Sequence, residues 1–161
     1  MKRIAFIVFF AYLFFLLEFV LYNAFGNWGK PEFLVLLVVF CSLYWGIRYS
    51  IIAALAGGLI KDAFSIEPFG TYLFIYVSAA FLTTLVRRNF YQPGSRVSRV
   101  LVVFAVVVGC FTAALFIHLR QQEVRLADAV GFILAPQLIT TMIAATFVFQ
   151  QLRGACAKLK L

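Results

Sequence analysis

Residues 33–60 read FLVLLVVFCSLYWGIRYSIIAALAGGLI, an apolar run in which Arg48 is the only charged residue. Whether this run forms one long helix or two short ones decides the fold. A hydrocarbon core about 30 Å thick takes roughly 20 apolar residues at the α-helical rise, somewhat fewer where protein shields a helix end. Four other runs come to that length: Ile4 to Phe25, Phe69 to Val86, Val100 to Leu119 and Ala129 to Phe149. Charge separates the two alternatives. A break near Gly46-Ile47-Arg48 puts Lys2, Arg3, Arg48, Arg87, Arg88, Arg96, Arg99, Arg153, Lys158 and Lys160 on one side of the membrane. The other side keeps Lys30, Lys61, Arg120 and Arg125 with the acidic Glu32, Asp62, Glu67, Glu123 and Asp128. A single long helix would separate the Arg87-to-Arg99 loop from the basic amino terminus, against the cytoplasmic bias of Lys and Arg. The expected fold is therefore an all-α membrane protein, a six-transmembrane-helix bundle with both termini cytoplasmic. Its approximate spans are 4–25, 33–47, 50–64, 69–86, 100–119 and 129–149. The second and third are short, so their hairpin should pack inside the bundle.

Composition agrees with a membrane chain. Hydrophobic residues make up 65% of the sequence and charged ones 12%, and the mean hydropathy is +1.02, which excludes an ordinary soluble globular domain. No polar stretch is long enough for a second domain, so residues 1–161 are read as one integral membrane domain. A net charge of +8 would suggest nucleic acid in a soluble protein. Here the basic residues flank apolar spans, where they anchor loops at anionic membrane lipid instead. The run after Lys2-Arg3 resembles a signal peptide but is long enough to span and lacks an A-x-A site, and it is read as a retained helix. Cys41, Cys110 and Cys156 have neither disulfide nor zinc-ligand spacing.

Small and charged residues stand out against this background. On the third helix Ser50, Ala54 and Gly58 recur every fourth residue, as do Ala53 and Gly57, forming small-residue rows that let two helices approach closely. Those rows meet either another helix of this chain or the transmembrane helix of a partner. Lys61 and Asp62 continue the two rows by one turn, to the outer end of the helix. Two readings stand for them: a solvated helix end, or an Asp62 that accepts hydrogen bonds from nearby loop backbone and fixes the Pro68-Phe69-Gly70 turn. Glu18 lies in the outer half of the first span and needs a proton or a partner, for which Lys30, Lys61 and Arg120 are the basic candidates. Pro136 reads as a kink, with Gln137, Thr140 and Thr141 able to satisfy the freed backbone groups. Glu18 and Gln137 are thus candidate intramembrane polar contacts. His118 stands alone, and no nucleophile elbow, P-loop, paired intramembrane carboxylates or metal-ligand cluster is present in the sequence. The expectation is a non-enzyme without cofactor, catalytic residues or metal.

Together, Lys30-Pro31-Glu32-Phe33, the hairpin with Gly46, Gly57-Gly58-Leu59-Ile60-Lys61-Asp62 and Pro68-Phe69-Gly70 resemble the signature of the bacterial rod shape-determining MreD family. Glu32 stands where that family commonly has Asp or Asn, Lys61 fills a variable position, and Phe69 replaces a usual Leu. Residues 90–161 carry little of the pattern. The resemblance implies a scaffold of the cell-elongation machinery in the bacterial cytoplasmic (inner) membrane. It implies that the chain binds MreC, and through it works with MreB, RodA and a penicillin-binding transpeptidase in peptidoglycan synthesis. The residues it points to for partner or helix packing are Ala53, Ala54, Gly57, Gly58, Lys61, Asp62, Pro68 and Gly70, with Pro31, Glu32 and Gly46 as structural motif. The family is also similar in architecture to the substrate-binding subunits of energy-coupling-factor vitamin transporters, so a small-molecule-binding subunit of that type is the rival expectation.

Overall fold

The computed structural model describes residues 2–25, 31–65, 68–90, 96–121 and 135–158. These form six α-helices and, among the described residues, no strand: α1 (Lys2–Phe25), α2 (Phe33–Tyr44), α3 (Ile47–Phe64), α4 (Thr71–Phe90), α5 (Arg96–Gln121) and α6 (Ala135–Lys158). Residues 33–60 are thus two helices. The break between them is chemical as well as geometric. The backbone N–H groups of Trp45 and Gly46 both donate to the Cys41 carbonyl, at 2.9 and 3.0 Å, closing the end of α2. Gly46 then turns the chain at φ +90°, a left-handed conformation that side chains with a Cβ disfavour. Ser50 secures the hairpin by donating its hydroxyl to the Val38 carbonyl at 3.0 Å.

α2 is the hub. Every residue from Leu34 to Leu43 is buried, and α2 packs against all five other helices, which form an arc around it in the order α1, α3, α4, α5, α6. A 12-residue helix is about 18 Å long, short of a hydrocarbon core about 30 Å thick, and longer helices enclose it. α3 differs from the expectation for the hairpin: it buries one face only, and Leu55 and Leu59 are exposed. α1 likewise buries a stripe of Phe6, Ile7, Ala11, Phe14 and Glu18 while exposing Val8, Phe9, Tyr12 and Val20. Phe74 and Phe81 on α4, Leu101 and Phe104 on α5, and Ile143 and Phe147 on α6 are exposed as well. An exterior this apolar on every outer helix suits hydrocarbon and would be a liability in water.

By length and composition alone, one described helix, residues 2–24, is long and apolar enough to cross a membrane; Phe33–Tyr44 and Val100–Ala113 are shorter apolar stretches. The helix ends also differ from the expected spans. α2 stops at Tyr44 rather than residue 47, and α3 starts at Ile47 rather than 50. α4 runs on to Phe90 through Arg87 and Arg88, α5 begins at Arg96, and α6 continues to Lys158. Hydropathy marks the apolar part of a helix, whereas backbone hydrogen bonding continues into its basic flanks. Residues 129–134 lie outside the described ones, and the kink expected at Pro136 falls at their edge.

One end of the bundle is basic and aromatic. The Arg3 guanidinium lies 5.8 Å from the Trp45 ring centre and 5.5 Å from that of Tyr49. Arg87 donates to the Ser42 carbonyl at 2.8 Å, and Arg153 sits 6.0 Å from the centre of the Tyr44 ring. These contacts gather the start of α1, the α2–α3 turn and the ends of α4 and α6 at one end. Cys41 and Cys110 are buried, Cys156 is partly exposed, and all three are free thiols.

Candidate functional site

At the opposite end, α3 delivers the glycine rows and then Lys61 and Asp62. Ser50, Ala53, Ala54, Gly57 and Gly58 are all buried. A Cβ on Gly57 would lie 3.4 Å from Leu34 of α2 and 3.6 Å from the Tyr76 ring of α4, which is ordinary contact. A Cβ on Gly58 would come within 2.7 Å of the Leu73 Cα and 3.1 Å of its backbone nitrogen. The absent side chain at Gly58 therefore lets α3 approach the backbone of α4, and the rows meet helices of the same chain. One turn later this close approach brings the two charged residues into the interior.

Lys61 is 6% exposed and Asp62 4%, so neither is solvated at its helix end, and Glu18 is buried as well. The Lys61 ammonium donates to Glu32 Oε2 at 2.5 Å and lies 3.6 Å from Glu18 Oε2. Its remaining surface faces aromatic rings, with the centres of Tyr72 and Tyr76 at 4.6 and 5.6 Å. The Tyr76 hydroxyl donates to Glu32 Oε2 at 3.2 Å. A buried charge is tolerated when it is paired and its hydrogen-bonding capacity is used. Here one ammonium joins carboxylates from α1 and from the residue that opens α2.

Two carboxylates, Glu18 and Asp62, hold helix N-termini. Glu18 Oε1 accepts the Leu34 backbone N–H at 2.9 Å, so a residue of α1 caps the first turn of α2. Asp62, 4% exposed, accepts three backbone N–H groups at the start of α4: Gly70 at 3.1 Å, Tyr72 at 2.9 Å and Leu73 at 3.1 Å. The first N–H groups of a helix have no partner within it, and the positive end of the helix dipole favours a negative charge there. Gly70 reaches this position at φ +102°, and the Thr71 hydroxyl donates to the Pro68 carbonyl at 2.8 Å to close the turn. Glu32 in turn donates its backbone N–H to Thr141 Oγ at 3.2 Å, tying in α6. Glu18, Glu32, Lys61 and Asp62 thus join α1, α2, α3, α4 and α6 at one end.

A cavity beside the cluster, bounded by Glu32, Tyr72, Tyr76 and Cys110, has a volume of about 30 Å³, the space of roughly one water molecule. No group of three His, Cys, Asp or Glu able to hold a metal occurs among the described residues. The side chains of Gln137 and His118, and residues Lys30 and Glu67, lie outside the described residues. Pro31 is buried and precedes Glu32, while Gly46 belongs to the basic end and not to this site. Tyr72, Tyr76 and Thr141 are contributors that the sequence reading did not assign to it. The four-residue spacing of Tyr72 and Tyr76, which puts two polar-tipped rings on one helix face, is a signal that could have found them.

The profile of rod shape-determining protein MreD matches residues 2–157. No curated protein and no solved structure matches the chain. With nearly all of its 161 residues inside that match, the chain belongs to the rod shape-determining protein MreD family.

Proposed function

We propose that the chain is a non-enzymatic, multi-pass scaffold of the bacterial cytoplasmic membrane that binds MreC and helps to organise peptidoglycan synthesis during elongation. In this reading residues 1–161 form one membrane domain of six spans with both termini cytoplasmic, in an architecture like that of energy-coupling-factor substrate-binding subunits. MreB, RodA and a penicillin-binding transpeptidase are the wider partners. Gly57, Gly58, Asp62, Pro68 and Gly70 then serve partner binding indirectly, by fixing the frame that presents the outer helix faces.

One observation carries the reading: the polar groups at the Lys61 end are spent on joining helices. Glu18 and Asp62 hold helix N-termini, and Lys61 binds two carboxylates, so the described part of the site is built as a clamp. A scaffold needs a rigid frame with an apolar exterior, and the exposed Phe, Leu and Ile side chains supply the latter. The basic end, with Arg3, Arg87 and Arg153 held against the α2–α3 turn and its neighbours, supports a cytoplasmic orientation for that end.

The test is co-expression of the tagged full chain with MreC, solubilisation of the membranes and capture through the tag. MreC is expected to co-purify in stoichiometric amount, and expression of the chain should restore rod shape to cells lacking their own copy. Both proteins present in the membrane with no MreC in the captured fraction would defeat the reading.

A further inference from the structure

Between α4 and α5 runs an open groove of about 380 Å³, lined by Ser78, Leu82 and Leu85 of α4 and by Gly109 and Ala113 of α5. At its floor a Cβ on Gly109 would lie 2.5 Å from Leu82 Cδ2, so the Leu82 side chain takes the space that one at Gly109 would fill. From Ile75 to Leu85 the groove extends about 15 Å along α4 at the helical rise. This open, apolar form leaves room for a hydrocarbon chain.

The groove has a charged end. Exposed Arg88 follows Leu85 by three positions and Phe81 by seven, so it continues the same face of α4, and Arg96 opens the neighbouring α5. Arg87, by contrast, is engaged with the Ser42 carbonyl. An apolar channel ending at a basic residue complements a molecule with an acyl chain and an anionic headgroup. We infer that the α4–α5 groove binds an anionic phospholipid, with one acyl chain between Leu82, Leu85 and Ala113 and its phosphate at Arg88. The leaflet involved, the cytoplasmic one, follows from the proposed orientation; the site itself does not depend on it.

The test uses the full chain in vesicles of phosphatidylglycerol or of phosphatidylcholine carrying a photoactivatable group midway along one acyl chain. Adducts are mapped by mass spectrometry. Adducts on the 78–85 and 109–113 segments are expected, with phosphatidylglycerol favoured about fivefold, the scale of one arginine near an anionic surface. Arg88→Glu should remove that preference, and Ala113→Phe should lower the adducts from both lipids. Equal labelling by the two lipids, adducts spread evenly over the outer helices, or a preference unchanged in Arg88→Glu would overturn the site. So would capture of a partner helix whose cross-links map to the groove. Arg88→Gln, a milder change with the thermal midpoint recorded alongside, covers the case in which the charge reversal fails to insert. A carboxy-terminal fluorescent fusion reports orientation separately, so a wrong topology and a wrong lipid site give different results.

Discussion

Gly58 packs directly on the backbone of Leu73: a methyl group added at Gly58 would come within 2.7 Å of the Leu73 Cα. Because the obstacle is backbone, neither helix can yield without moving as a whole. Gly58→Ala is therefore expected to lower stability by about 1–3 kcal/mol, the usual cost of overpacking. Gly57→Ala, whose new atom would meet Leu34 at 3.4 Å, should change it much less. Thermal unfolding of the two variants in the same detergent checks the contrast, and equal midpoints would contradict it. A loss of MreC binding in a Gly58 variant would report on this internal packing and is no evidence for a docking face at the glycine.

Asp62 makes a different kind of link, one carboxylate to three backbone donors at the start of α4. Asp62→Ala removes all three acceptors from a buried position. A lost cap costs about 0.5–2 kcal/mol, and hydrogen bonds to a charged group lie toward the upper part of that range. Hydrogen exchange should accelerate at the amides of residues 70–73 before it does elsewhere in α4. Asp62→Asn, which keeps one acceptor oxygen, should fall between the wild type and Asp62→Ala. Uniform exchange along α4 in the alanine variant would mean that the cap is not what holds this turn.

Parts of this arrangement were legible in the sequence, for identifiable reasons. The break at Gly46 could be placed by where the basic residues must lie, since one long helix would have put them on opposing sides. The rows through Ala53, Ala54, Gly57 and Gly58 announced a close approach, because missing side chains at helical spacing leave a smooth face. They could not say what fills it, since an absent side chain carries no information about its neighbour. The pairing of Lys61 with Glu18 was legible only as one of three candidates, and that with Glu32 not at all, for a related reason. It joins three separate segments, and no periodicity connects them. Lys61 alone looked like the end of a helix; only the contacts of Gly58 with Leu73 and of Gly57 with Leu34 and Tyr76 make it interior. Helices run on past the expected spans, to Phe90 and Lys158, because apolar runs end before backbone hydrogen bonding does.

Gly46 tests conformation without packing. A Cβ at this position would meet nothing within 4 Å, yet the residue sits at φ +90°. Gly46→Ala should therefore cost about 1–3 kcal/mol through the backbone alone, since ψ 177° puts the residue in a region almost confined to glycine. Gly46→Asn should cost as much, because the tolerance of asparagine for positive φ is for the left-handed helical region. Thermal midpoints lowered about equally in the two variants are the expected outcome. An alanine variant as stable as the wild type would show that the turn relaxes to another conformation.

The cluster around Lys61 permits the sharpest test, because its members lie on different helices. Lys61→Met keeps the length of the side chain and removes the ammonium from two carboxylates that are 2.5 and 3.6 Å away. Breaking a buried ion pair from one side typically costs about 3–5 kcal/mol, since the remaining charge stays buried. Neutralising a carboxylate in the same protein should then restore part of the loss. The pairing is closer with Glu32 than with Glu18, so Lys61→Met combined with Glu32→Gln should recover more than the combination with Glu18→Gln. Glu18 also caps α2 through the Leu34 N–H, a bond that glutamine can keep through its carbonyl oxygen but without the charge that favours it. A double-mutant cycle on thermal stability measures both couplings, and strictly additive losses would show that the three residues do not act as one centre. If the cluster is the clamp of a scaffold, cell shape should follow the same order. The Lys61→Met variant should give rounded cells, and the Lys61→Met, Glu32→Gln pair should restore rods more fully than Lys61→Met, Glu18→Gln.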